Sequence, residues 1–110
     1  MAADTLSLVF GALADPTRRA ILAHLTHGDA PVGELAVPHD MSQPAISRHL
    51  KVLERAGLVS RHRQATARLS HLEAAPLREA TEWLAEYRQF WEARHQRLDA
   101  LLAELQDEEQ

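Results

Sequence analysis

Cysteine is missing altogether from this chain of 110 residues. Its absence excludes a disulfide framework, a thiolate metal site and a cysteine nucleophile, and makes the reducing cytoplasm the expected compartment. Long apolar runs are missing too, so no segment is expected to span a bilayer, and Met1 to Asp4 lacks the basic and apolar blocks of a signal peptide. The expectation is a soluble, cytoplasmic protein that is not exported. Glycine is scarce at four residues, and the aromatics amount to two Trp, two Phe and one Tyr. No phosphate-cradling glycine loop, G-x-S-x-G or H-E-x-x-H occurs, and the seven histidines are scattered. The convergent groups an enzyme needs are therefore not expected, nor is any cofactor. At 45% hydrophobic residues the chain suits one small domain over residues 1–110 and is too short for two independent cores.

Charge is present but unevenly spread. Residues 1–40 hold two Arg against five Asp and Glu, residues 41–72 hold six Lys and Arg against one Glu, and residues 73–110 hold four Arg against ten Asp and Glu. The net charge of −4 thus averages an acidic body with a basic central block. A solvated surface is the ordinary account of such a block. A local cationic field that attracts phosphate is the other.

The periodicity around the block favours the second account. Leu6, Val9, Phe10 and Leu13 fall at i, i+3, i+4, i+7 and predict a helix from about Thr5 to Ala14. Asp15 before Pro16 marks the next helix start, and Ile21, Leu22 and Leu25 carry its stripe until His27-Gly28 ends it. A short third helix fits Val32 to Val37, opened by Pro31 and closed by Pro38.

The fourth helix covers "SQPAISRHLKVLERAG", with Ser42 as N-cap, Pro44 in the first turn and Gly57 as the stop. Ile46, Leu50 and Leu53 form its apolar arc, flanked by Ala45 and Val52, while Gln43, Ser47, Arg48, Lys51, Glu54 and Arg55 fill the opposite side. A packed back, hydrogen-bonding side chains near the N-terminus and cations further along are the chemistry of a major-groove reader. His49 lies at the edge of the apolar arc, where a partly buried structural imidazole and a phosphate contact are both open.

Leu58 to Arg63 and Thr66 to Leu72 predict a hairpin about Gln64-Ala65, with Arg61, Arg63 and Arg68 near its tip. In the last third Leu77, Leu84, Trp91, Leu98 and Leu105 recur every seven residues, and Ala80, Tyr87, Arg94 and Leu101 form the companion series, widened by Trp83 and Phe90. A helix over about 75–106 would run about 45 Å, longer than the basic domain before it could cover, so part of its apolar stripe needs a partner. Leu6, Phe10, Trp83, Tyr87, Phe90, Trp91, Leu98, Leu101 and Leu105 are the candidate dimerisation residues.

From Phe10 to Leu72, and on towards Leu105, the chain resembles the ArsR/SmtB family of winged helix-turn-helix repressors. The resemblance rests on "ALADPTRRAILAHL", "VGELA", "SQPAISRHLKVLERAGLV" and the "YRQFWEARHQRLDALL" tail, in this order, and the tail is similar to the SdpR-like branch. It implies a mainly α fold of order α-α-α-α-β-β-α, with a DNA-binding core at 5–72, a wing at about 58–72 and a C-terminal dimerisation helix. It also implies a homodimer on double-stranded operator DNA near its own promoter. Ser42, Gln43, Pro44, Ser47, Arg48, His49 and Lys51 would lie on the DNA face, with Arg61, Arg63 and Arg68 on the wing.

The chain departs from the family's thiol sensors, since Pro31, Gly33 and Ala36 stand where their cysteines would sit. His95 and Asp99, at i, i+4 on the last helix, are the remaining candidate metal pair, though such a pair is more often a surface contact. No metal is expected, and the effector stays unassigned. The alternatives are a protein-interaction module built on the long helix, or a metal-responsive repressor with a non-thiol site.

Overall fold

The computed structural model describes residues 4–108. Three helices begin where a side chain can accept the backbone N–H groups that a first turn leaves unpaired. The Asp4 carboxylate accepts from the Ser7 N–H at 2.7 Å ahead of α1 (Thr5–Leu13). Asp15 does the same for Arg18 at 3.0 Å ahead of α2 (Pro16–Leu25), and Ser42 for Ala45 at 3.3 Å ahead of α4 (Gln43–Arg55). Between α2 and α4 lie a two-residue strand β1 (Ala30–Pro31) and the short α3 (Val32–Ala36), which tightens into a 3₁₀ turn at Val37–His39.

Helix α4 ends in a Schellman motif. The Leu58 N–H donates to the Leu53 carbonyl and the Gly57 N–H to the Glu54 carbonyl, each at 2.9 Å, with Gly57 at φ +75. Leu53 and Leu58, the hydrophobic pair of that motif, are fully buried. The chain then enters β2 (Val59–Gln64) and returns as β3 (Ala67–Leu72). The sheet is antiparallel in the order β1-β3-β2.

Two expectations shift in detail. The hairpin turns at Ala65-Thr66, one residue later than expected, and α3 ends at Ala36. The third strand was not foreseen. A two-residue strand is too short to show alternation, and Pro31 can occupy it only because it lies on the sheet edge, where no N–H is required of it.

The chain divides into two compact units, one up to Ala80 and the other from Thr81 onward. The core of the first is built from Val9, Ile21, Leu35, Ile46, Leu50, Leu53 and Leu58, all fully buried. Ala80, in the opening turns of α5 (Ala75–Glu108), also belongs to that core. The second unit consists of the rest of α5, on which Phe90 is 66% and Trp91 51% exposed.

Candidate nucleic-acid interface

On α4, Ile46, Leu50 and Leu53 point into the core and fix which arc faces out. At about 100° per residue, Pro44, Arg48, Lys51 and Arg55 cluster on the opposite side, and all four are exposed. Gln43 is exposed at the helix start, just after Ser42, while Ser47 is half-buried on the flank. The Gln43 amide lies over α3, where a Cβ built on Gly33 would meet its Nε2 at 3.3 Å.

Polar contacts hold both flanks of α4. On one side, Arg61 of β2 places its Nε 3.2 Å from the Glu54 carboxylate. The Nε–H direction does not complete a hydrogen bond there, and Nε and Nη2 of Arg61 are both buried without a hydrogen-bond partner. This is an ion pair of position rather than of geometry. On the other side, Arg18 donates from Nε to the Ala12 carbonyl at 2.8 Å and from Nη2 to the Gly11 carbonyl at 3.2 Å, closing the end of α1. Its Nη1 lies 3.3 Å from His49 Nδ1. Arginine can only donate, so Nδ1 accepts and the imidazole proton sits on Nε2. Asp15 completes this cluster, 3.9 Å from the same nitrogen. The backbone N–H of Arg18, and after it the Arg18 charge, hold the Asp15 carboxyl below its ordinary value.

The wing carries its cations unequally. Arg63 pairs directly with Arg68 across β2 and β3, both exposed, next to the turn. Arg61, expected near the tip, lies instead towards the base, half-buried and paired in register with the buried Ser70. Like charges directly opposite each other destabilise a ladder. An arrangement that retains them fits a surface meant for an anion.

Sequence reasoning missed the basic pair Arg18 and Arg19, whose only sequence signal is their place just after the end of α1; Arg19 donates to the Leu13 carbonyl at 2.7 Å. It also missed a polar cluster on the other face of the wing. Asp29, in the turn before β1, accepts from His62 Nε2 and from His71 Nδ1, each at 2.7 Å. His24, near the end of α2, contacts Glu34 at 2.9 Å.

The remaining candidates lie on α1 and α5. Leu6 and Phe10 are partly buried against the core. Trp83, Tyr87, Phe90, Trp91, Leu98, Leu101 and Leu105 are exposed apolar residues of α5, and the Trp83 and Tyr87 rings stand 5.1 Å apart. His95 and Asp99 are exposed, and among the described residues no group of three or more His, Cys, Asp or Glu could hold a metal ion. Nor is any helix among them long and apolar enough to cross a membrane.

A short helix, a turn and a second helix with a cationic outward arc, followed by a basic hairpin, define a winged helix-turn-helix. Residues 13–62 match the model of a helix-turn-helix domain. The chain is 37% identical over 79 residues to the transcriptional repressor SdpR of Bacillus subtilis, spanning 72% of this chain and 88% of that one. The crystal structure of an ArsR family transcriptional regulator superposes with a TM-score of 0.72 at 42% identity, covering 84% of this chain and 97% of the other. A homodimeric winged helix-turn-helix domain from Mycobacterium bovis, a possible ArsR-family regulator, gives 0.64 at 25% identity over 82% and 84%. The chain belongs to the ArsR family of winged helix-turn-helix transcriptional regulators.

Proposed function

We propose that this regulator is a cytoplasmic homodimeric repressor that binds double-stranded operator DNA near its own promoter, with no catalytic role. The observation that carries the reading is the outward arc of α4. Pro44, Arg48, Lys51 and Arg55 stay exposed while the Arg18–His49 contact on one flank and the Arg61–Glu54 ion pair on the other hold the helix. Gln43 and Arg48 are the base readers in this reading, since their side chains can bond adenine and guanine edges in pairs. Ser42 and Ser47 lie close to the backbone, Pro44 packs at the entry, and Lys51 meets phosphate. His49 presents its Nε2–H to phosphate while Arg18 holds its other nitrogen. Arg63 and Arg68 contact the DNA backbone from the wing, and Arg61 braces the helix against it.

The exposed apolar side of α5 supports a seam with a second copy, with Leu6 and Phe10 of α1 contributing. The same surface favours one rival, an interaction module for another protein. A gel shift with the DNA upstream of the gene separates them. The repressor retards that DNA in the presence of excess random duplex, whereas equal displacement by both would leave only the rival.

A further inference from the structure

We propose that Asp29 is a positioning residue for the wing, clasping His62 and His71 together so that Arg63 and Arg68 meet the DNA backbone from one fixed pose. The inference rests on the reading of the wing as a DNA contact.

The clasp follows from sheet register. Ala30 pairs with Ser70, which sets Asp29 level with His71 on the neighbouring strand. His71 pairs with Ser60, so His62 is its diagonal neighbour on β2, and the two rings stand edge to face with centroids 6.3 Å apart. A carboxylate only accepts, so both imidazoles donate to Asp29, one to each oxygen. One side chain from the turn after α2 thereby ties down both strands of the hairpin. Alternation along the strands puts Arg61, Arg63 and Arg68 on the opposite face from this cluster, so the clasp restrains the hairpin without occupying its cationic side.

The charged groups acting on His71 are Asp29 and, after β3, Glu73, which also accepts from the Ser60 hydroxyl at 2.8 Å. Among the helices packed nearby, α2 offers His24 and α3 offers Glu34, and these contact each other; His27, at the end of α2, is exposed. The hydrogen bond to Asp29, and then its charge, raise the His71 pKa above the ordinary 6.5. Hydrogen bonds from His71 and His62 lower that of Asp29 below 3.8. The signs define a window. The histidine contribution is complete below the ordinary imidazole value and is lost as pH rises through the raised one. The carboxylate contribution is complete above the ordinary carboxyl value and is lost as pH falls through the lowered one.

Removing Asp29 also removes a negative charge near DNA, so general electrostatics and the clasp predict opposite effects. Operator affinity of the full-length wild type and of Asp29→Asn is measured from about pH 6 to about pH 8, across the histidine range. Asparagine offers one acceptor oxygen where two are needed. The expected result is a crossing pair of profiles, with Asp29→Asn severalfold weaker at the acid end and no weaker at the alkaline end. In the free protein, the His71 ring should titrate lower in the variant by NMR, and the amides of residues 62–69 should exchange faster. Parallel profiles with the variant tighter throughout, while Arg63→Ala still weakens binding, would overturn the clasp alone. Wild-type affinity in Arg63→Ala would overturn the wing reading and the positioning role with it, and the NMR readout would still report whether Asp29 holds the two rings.

Discussion

Arg18 Nη1 lies 3.3 Å from His49 Nδ1, joining the first turn of α2 to the middle of α4. The same guanidinium closes two carbonyls at the end of α1, so one side chain ties three helices together.

Replacing Arg18 by Met keeps the aliphatic stem and removes every one of these bonds. The expected cost is roughly 1–3 kcal/mol of stability, measured by thermal or urea unfolding. Arg18→Lys should recover only part of it, because an ammonium cannot form the planar fork. An unchanged midpoint in Arg18→Met would show the cluster to be incidental.

Helix and wing should divide the work on DNA. Arg48→Ala or Gln43→Ala should cost roughly 1–3 kcal/mol on the operator and little on random duplex, because base contacts specify while phosphate contacts position. Arg63→Ala should weaken both alike. Helix variants that bind the operator at wild-type strength, with Arg63→Ala alone losing discrimination, would reverse the assignment.

Binding should also depend on the acidic last helix, although negative charge repels DNA. A single winged unit reads few base pairs, and two units need half-sites about 34–36 Å apart, a spacing the dimer sets. The double change Leu98→Glu and Leu101→Glu should yield monomers in sedimentation and abolish the gel shift. A folded monomer that binds with native affinity would assign α5 to another partner.

The wing tip carries strain. Ala65 sits at φ +57 in the two-residue turn, where a side chain is disfavoured and glycine is at ease. Ala65→Gly should therefore stabilise the protein or leave it unchanged, by up to about 1 kcal/mol. Clear destabilisation on unfolding would mean that the Ala65 methyl makes a contact worth more than the strain.

Much of this fold is legible because its signals are local. Asp15-Pro16, Ser42 followed by Pro44, and Gly57 sit within a turn of the boundaries they set, and the Ile46, Leu50 and Leu53 stripe needs only one helix to be recognised. The outward arc of α4 is simply the complement of that stripe. What stayed hidden depends on sheet register. Asp29 lies 33 residues from His62 and 42 from His71, and nothing in the sequence near any of the three announces the others. The half-burial of Arg61 has the same origin, since whether a strand residue faces a helix or solvent is decided by pairing, and a shift of one position reverses it.

The Schellman bond from Leu58 into α4 is matched by one from the Glu73 N–H to the Leu58 carbonyl at 2.8 Å. Both ends of the hairpin are therefore tied to Leu58, while β1 pairs along β3, which makes residues 59–72 a cassette with a defined base. Val59, Arg61, Ser70 and Leu72 share its inward face, so an exchange of wings between related proteins that keeps those four should transplant backbone contacts without refitting the core. Asp29 would have to travel with it, as would Glu54 and Glu73, which meet Arg61 and Ser60 from outside the cassette; a donor wing without histidines at positions 62 and 71 would leave the Asp29 carboxylate with nothing to hold.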